Sequence, residues 1–122
     1  MLIKRHEQCI GISLPSLGRF KLECWYCPSG YKIKPHSHDN IDIELLFLSG
    51  GGTTIHRKEF SELFSESHKL HWLRDFGRRF TIKAGTVHWF NVSKWPLIFI
   101  NFEWWKKGIK PTSASIDFKE KI

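Results

Sequence analysis

The residues best suited to chemistry in this chain are three histidines, His36, His38 and His88. On a β-strand, alternation places the side chains of His36 and His38 on one face, about 6.6 Å apart along the chain. This spacing lets two imidazoles converge on one metal ion or one polar ligand. His88 lies in a second polar stretch, KAGTVHWFN from Lys83 to Asn91, and offers a third imidazole.

The segments around these histidines read as short β-strands joined by Gly/Pro turns. Alternating or continuous apolar runs predict strands at FKLECWYC, at YKIK leading to the paired histidines, at DIELLFLS, at the hairpin partner TTIHRK, at RRFTI, at TVHWFNV and at LIFINFEWW. Pro28-Ser29-Gly30 and Gly50-Gly51-Gly52 have the composition of tight turns. The pattern predicts an all-β sandwich or barrel.

The rest of the chain is predicted to be peripheral to that core. Residues 59–76 are predicted to form a partly helical insertion over the mouth of the barrel, because Phe60, Leu63 and Phe64 fit a helical face. We expect one domain over 1–122, with a core at about 20–105, an N-terminal arm at 1–19 and a loosely held C-terminal tail at 106–122.

The amino-acid composition limits which binding partners and which cellular compartment we expect. The 122 residues carry a formal charge of +7, but it is scattered in short pairs such as Arg78-Arg79, so nucleic-acid binding is disfavoured. No apolar run is long enough for a signal peptide or a membrane span, and we expect a cytoplasmic protein without membrane contact. Three cysteines make an odd number with no paired framework, which favours a reducing compartment. Cys24 and Cys27 are three apart on one strand and face opposite sides, which disfavours a zinc site.

The two polar stretches resemble the paired motifs of the cupin superfamily. In the first, Gly30 is followed after five residues by His36-x-His38. In the second, Gly77 is followed after five residues by Lys83-Ala84-Gly85 and then His88, with lysine where the family has proline. Asn91 comes one residue earlier than the family's asparagine. The resemblance covers about residues 20–105 and implies a jelly-roll barrel, the double-stranded β-helix, with its ligands held by the histidines.

A narrower resemblance is to the effector-binding cupin of AraC-type regulators. It rests on PHSHD with the following acidic-leucine pair, on LSGGGTTI, on AGTVHWF and on KWPLIFINFEW. This resemblance implies a ligand-sensing domain, here without a helix-turn-helix domain.

The position of the cupin motif's glutamate is open in this sequence. Counting along the motif places Ile43 in that position, Glu44 if the preceding loop carries one extra residue, and Asp42 under the shorter spacing. Glu44 is favoured because Glu44-Leu45-Leu46-Phe47 matches the family's local pattern. The predicted metal ligands are therefore His36, His38, Glu44 and His88, holding a divalent iron, nickel, manganese or zinc ion. Alternatively, the histidines hydrogen-bond one another, water or an organic ligand in a metal-free barrel.

Ligand contacts are expected from a polar and aromatic set around the barrel interior. Alternation on the last strand puts Phe99, Asn101 and Glu103 on one face, either toward a cavity or toward water. The candidates are Trp25, Tyr31, Asp42, His56, Trp89, Phe99, Asn101 and Glu103.

Three functional hypotheses follow. The first is a stand-alone cupin that binds a small polar, carbohydrate-like molecule, with a metal, as a sensor or accessory protein. We expect such a protein to be a homodimer, with Trp104-Trp105 and the N-terminal arm as candidate dimer surface. The second is a metal-dependent dioxygenase, isomerase or lyase, for which no catalytic residue is assigned. The third is a basic protein- or nucleic-acid-binding module.

Overall fold

The computed structural model describes residues 2–50, 52–58, 65–71 and 73–120 of the chain. Within those ranges every regular element is a β-strand. The strands are β1 (Leu2–His6), β2 (Cys9–Ser13), β3 (Phe20–Cys27), β4 (Lys32–Ser37), β5 (Ile41–Ser49), β6 (Thr54–Lys58), β7 (Ser65–Lys69), β8 (Arg79–Ile82), β9 (Val87–Asn91), β10 (Leu97–Trp105) and β11 (Lys119–Glu120).

These strands form two antiparallel sheets. One has six strands in the order β1-β2-β3-β10-β5-β8, and the other has five in the order β11-β4-β9-β6-β7. Alternation decides which side chains enter the space between them: along β10, residues 97, 99, 101, 103 and 105 are buried and the residues between them are more exposed. Phe90 of β9 and Phe99 of β10 meet across the interior with ring centroids 5.7 Å apart. The prediction of an all-β jelly roll is confirmed.

The predicted partly helical insertion at 59–76 is wrong over its described part. Ser65–Lys69 is strand β7, which pairs with β6 so that Thr54 lies opposite Lys69. The hairpin ladder satisfies the backbone of both strands, and this tertiary pairing outweighs the weak helical periodicity. Residues 59–64 and 72 lie outside the described residues.

The predicted loose C-terminal tail is also wrong. Ser113 and Ala114 are buried, and β11 pairs with β4, with Glu120 opposite His36. The N-terminal arm is likewise ordered, because β1 and β2 form a hairpin whose second strand pairs with β3. Both termini therefore contribute to the walls of the barrel. Among the described residues, no helix could cross a membrane.

Candidate metal centre

The three histidines lie together between the sheets. His36 and His88 are directly opposite each other on β4 and β9, with ring centroids 4.0 Å apart. The ring centroid of His38, just after β4, lies 5.0 Å from those of both other histidines. One ring nitrogen from each residue lies within 4.8 Å of the other two, and all three side chains are buried.

A β-bulge aims His36 inward. Ile33 pairs with Phe90 and His36 with His88, so three steps along β4 match two along β9. In a regular strand, residues three apart face opposite sides, but the extra residue allows Ile33 and His36 both to be buried. Pro35 lies within this irregular stretch, where the lack of a backbone N–H removes no regular ladder bond.

The turn before β9 ties His88 to His38. Gly85 has a φ of 87°, a conformation that glycine adopts without strain, and its N–H donates to the carbonyl oxygen of His38 at 2.9 Å. The Lys83-Ala84-Gly85 turn that matches the second cupin motif therefore sets the spacing between two of the three imidazoles.

Backbone carbonyls determine the tautomer of each imidazole. Nδ1 of His36 donates to the Lys34 carbonyl at 2.7 Å, and Nδ1 of His88 donates to the Thr86 carbonyl at 3.1 Å. Nδ1 of His38 donates to the carbonyl of Asp117. Since a carbonyl only accepts, each Nδ1 carries the proton and each Nε2 keeps its lone pair. This is the second-shell arrangement that metal-binding histidines use.

Electrostatics keep the three rings neutral. Burial, together with the neighbouring His38, lowers the pKa of His36 to about 3. Burial also lowers the pKa of His38 and holds that of His88 well below its usual range. Three neutral imidazoles, each with a ring nitrogen within 4.8 Å of the other two, fit a divalent first-row metal.

The predicted fourth ligand, Glu44, is wrong. Along β5 the inward residues are Ile41, Ile43 and Leu45, so Glu44 lies on the outer face, where its carboxylate accepts a hydrogen bond from the Thr81 hydroxyl. The loop before β5 carries no extra residue that would turn Glu44 inward, and Ile43 takes the position of the motif's glutamate.

Asp42 is wrong as a ligand contact for the same reason. It lies on the outer face of β5 and accepts a hydrogen bond from the Ala84 N–H at 2.8 Å. The carboxylate instead holds the Lys83-Ala84-Gly85 turn in place.

The histidines line a cavity of about 50 Å³. This volume holds an ion with a few water molecules; pockets for drug-sized ligands measure about 300–1,000 Å³. Apolar side chains form most of the wall, and among the described residues no Asp, Glu, Lys or Arg lines it. The lining residues are His6, Cys9, Trp25, Cys27, Ile33, His36, His38, Ile43, Leu45, Ile82, His88, Phe90, Phe99, Asn101, Ala114, Ser115 and Phe118.

Three of the predicted ligand contacts reach this cavity: Trp25, Phe99 and Asn101. Asn101 is 5% exposed, and its buried Oδ1 has no hydrogen-bond partner in the described part of the chain. An orphaned buried acceptor costs about 1–3 kcal/mol, so a bound molecule that donates to it would be stabilised.

His56 and Trp89 are wrong as cavity residues. They stack on each other on the outer face of the five-stranded sheet, with ring centroids 4.8 Å apart and planes 10° apart. Both alternate with inward neighbours, Ile55 and Phe90, which places them on the outer face.

Tyr31 and Glu103 are buried but do not line the cavity. The Tyr31 hydroxyl donates to the Glu7 carboxylate at 2.8 Å. Glu103 accepts a hydrogen bond from Trp105 Nε1 at 3.2 Å and pairs with the Glu23 carboxyl group. Their polar groups therefore contact the scaffold, and neither residue reaches the cavity.

The C-terminal segment closes the site, and sequence analysis missed it. Phe118 lies over His36, and the Asp117 carbonyl binds His38. Asp117 is held in turn by Asn40, whose backbone N–H donates to its carboxylate at 2.8 Å. A sequence separation of about eighty residues leaves no local pattern that predicts these contacts.

Known structures identify the fold. Oxalate decarboxylase from Lactobacillus farciminis, in a formate complex, is similar with a TM-score of 0.74 and 11% identity over 98% of this chain and 33% of that one. The capsular polysaccharide assembling protein CapF from Staphylococcus aureus gives 0.72 and 14%, over 98% and 33%. A Klebsiella pneumoniae protein with a double-stranded β-helix domain gives 0.61 and 17%, over 97% and 90%.

These similarities show that the fold of the chain is a double-stranded β-helix jelly roll. The chain spans about a third of the length of CapF and of the oxalate decarboxylase. No protein-family model matches the sequence, and no curated protein matches it either.

Proposed function

We propose that this cupin binds a divalent first-row metal through His36, His38 and His88, and that it binds a small polar molecule beside the metal. The observation that carries the proposal is the shared tautomer: each Nδ1 donates to a backbone carbonyl, which leaves three Nε2 lone pairs for one ion. When bound, the metal would supply positive charge and Lewis acidity to a buried apolar cavity.

The cavity limits the ligand to a few heavy atoms. At about 50 Å³ it accommodates water or a short organic acid or alcohol, while a carbohydrate would require Phe118 to move away. The Asn101 amide oxygen favours a ligand that carries a hydrogen-bond donor. The formate complex of the similar oxalate decarboxylase supports a ligand of this size.

We favour a sensor or accessory role in the cytoplasm over catalysis. The cavity lining offers no carboxylate or amine, within the described residues, to act as a general base. The enzyme alternative relies on His6, which lines the same cavity outside the three-histidine cluster. Three ligands would also leave coordination positions for a substrate, as in catalytic metal sites.

A homodimer is part of the proposal, and the outer face of the six-stranded sheet supports it. Ile10 lies opposite Tyr26, which lies opposite Ile98, so apolar side chains cross three strands in one row. A second row joins Ile12, Cys24 and Ile100. Ile10, Ile12 and Tyr26 are each about two-fifths exposed, and an exposed apolar surface of this kind is typical of an association surface.

The deciding experiment is elemental analysis of the protein purified without a histidine tag. We expect near-stoichiometric iron, nickel, manganese or zinc in the wild type and none in the His36→Ala/His88→Ala variant. The matched control is His56→Ala/His71→Ala. It also loses two imidazoles, but neither lines the cavity, so this variant should keep the metal. Absence of metal from the wild type after reconstitution with each ion would refute the site.

Ligand binding is tested separately on metal-loaded protein. A thermal-shift screen of short organic acids, alcohols and sugars should raise the Tm for molecules of a few heavy atoms. Asn101→Leu should remove that shift and keep the metal. Robust turnover of a small substrate would instead favour the enzyme alternative.

A further inference from the structure

Two of the three cysteines lie against each other in the wall of the cavity. The Sγ atoms of Cys9 and Cys27 are 2.6 Å apart, and both residues are buried. The third, Cys24, is only partly buried and lies on the outer face of β3. The pair therefore comes from two strands, not from the Cys24–Cys27 spacing visible in the sequence.

Strand register places the two cysteines directly opposite each other. β2 and β3 pair in antiparallel fashion with Ile10 opposite Tyr26, and one further step brings Cys9 opposite Cys27. Opposed residues of an antiparallel pair have Cα atoms about 4.5–5.5 Å apart. Disulfides span about 4.4–6.8 Å between Cα atoms, so the backbone needs no rearrangement to bridge these two.

We propose that Cys9 and Cys27 are a modification site that forms an intramolecular disulfide, joining the N-terminal hairpin to the wall of the histidine cavity. The hairpin of β1 and β2 contacts residues around the cavity, so fixing its position would also fix theirs. Its turn residue Glu7 accepts a hydrogen bond from Tyr31, and the ring of His6 lies 4.4 Å from that of Phe118, which covers the histidines. The disulfide fixes this corner of the cavity.

The oxidant is hydrogen peroxide, small enough to reach sulfurs that line the cavity. One thiolate attacks a peroxide oxygen, so that an S–O bond forms, the O–O bond breaks and the leaving oxygen departs as water after protonation. The second thiol attacks the sulfenic sulfur, the S–S bond forms, and a second water leaves with the remaining proton. Two electrons pass from the two sulfurs to one peroxide.

Burial slows both the oxidation of the two thiols and the reduction of the disulfide. The contact with Cys9 and burial raise the pKa of Cys27, so little thiolate is present and oxidation of the folded protein is slow. Once formed, the bond is shielded from thiol reductants that do not fit the cavity. We therefore expect the disulfide to form slowly and to be reduced slowly in the folded protein.

The test uses the Cys24→Ser variant, which keeps the pair and removes the third thiol. Folded protein is incubated with hydrogen peroxide or with dithiothreitol, denatured, alkylated and weighed as an intact chain. We expect the reduced sample to take two alkyl groups, and the oxidised sample to take none and to weigh two hydrogen atoms less. Peptide mapping should join the Cys9 and Cys27 peptides.

Stability gives a second readout. A bond that closes a loop of this size raises the Tm by about 10 °C, and reduction with dithiothreitol in denaturant before refolding should reverse the rise. Cys9→Ser/Cys24→Ser, with one thiol left, should show no such dependence. The proposal is overturned if oxidised Cys24→Ser still takes two alkyl groups, or if the bond joins two chains or involves Cys24 in the wild type. Because Cys24→Ser keeps both partners, the result stands even if the Cys9 variant does not fold.

Discussion

Phe118 stacks on His36, with ring centroids 4.1 Å apart and ring planes 19° apart. The ring comes from the C-terminal segment, directly before β11, and lines the cavity together with the histidines. We therefore expect access to the candidate metal centre to be controlled by a side chain eighty-two positions away in the sequence from its stacking partner.

Phe118→Ala should open the cavity. Removing a half-buried ring costs about 2 kcal/mol of unfolding free energy, and the space left over His36 should speed the uptake of Co²⁺ by metal-free protein. Stopped-flow absorbance measures that rate. Ile116→Ala is the matched control, because Ile116 is exposed in the same segment and should leave the rate unchanged. Equal rates in all three proteins would show that the ring does not limit access.

The carboxylate position gives a second prediction. Ile43 lines the cavity where the cupin motif has glutamate, so Ile43→Glu should place a fourth ligand beside the three imidazoles. We expect at least tenfold tighter metal binding, with metal-free protein destabilised by several kcal/mol because the carboxyl group is buried without a partner.

Glu44→Gln serves as the control for that change. Glu44 contacts Thr81 on the outer face, and its substitution should leave the metal Kd unchanged. Competition with a chromophoric chelator measures each Kd. A loss of metal in Glu44→Gln would mean that Glu44 faces the metal in the metal-bound protein, in contrast to its outward position on β5.

What could be predicted from the sequence depended on local patterns. Strand alternation, the Gly85 turn and the motif spacing are encoded within about ten residues, and they were enough to predict the jelly roll and to single out the three histidines that the structure brings together. The likeness to AraC-type sensors, the metal and the ligand remain predictions.

The errors arose where one residue of register or a distant partner decides the outcome. A shift of a single position on β5 separates Glu44 from Ile43, and periodicity alone does not choose between them. The contact between Cys9 and Cys27 was not predicted from the odd number of cysteines, because these two residues meet only when β2 pairs with β3. The C-terminal segment looked loose because its partners, Glu23 and His38, lie far away along the chain.

A charge on the apolar outer face of the six-stranded sheet is predicted to dissociate the dimer. Ile12→Glu places a charge beside Cys24 in the second row, where burial against a second chain would remove the water around that charge. We expect the wild type to sediment as a dimer and this variant as a monomer, with folding unaffected. Lys32→Glu, on an exposed position of the other sheet, should stay dimeric. A monomeric wild type at all concentrations would rule the interface out.

A buried carboxyl pair gives the last prediction. Glu23 and Glu103 are both fully buried. Burial raises the pKa of Glu103 to about 10, with the neighbouring Glu23 adding to the rise. Burial alone would raise the pKa of Glu23 as well, but hydrogen bonds from Glu103, from the Ala114 N–H and from the Ser113 hydroxyl lower it. Glu103 is therefore protonated at neutral pH beside an ionised Glu23, which also anchors the C-terminal segment.

The sign of the pH dependence follows from Glu103. Its pKa is raised on folding, so its contribution to stability is fully present below the ordinary glutamate pKa and is lost as the pH rises toward about 10. Glu103→Gln offers an N–H donor to Glu23 at every pH and an oxygen to Trp105. Urea unfolding from pH 5 to pH 9 should show falling stability in the wild type and a flatter profile in the variant. Glu23→Gln should instead lower stability by about 2 kcal/mol, because the charged acceptor for Ser113 and Ala114 is lost. Parallel profiles for wild type and Glu103→Gln would mean that the proton is not held by Glu103.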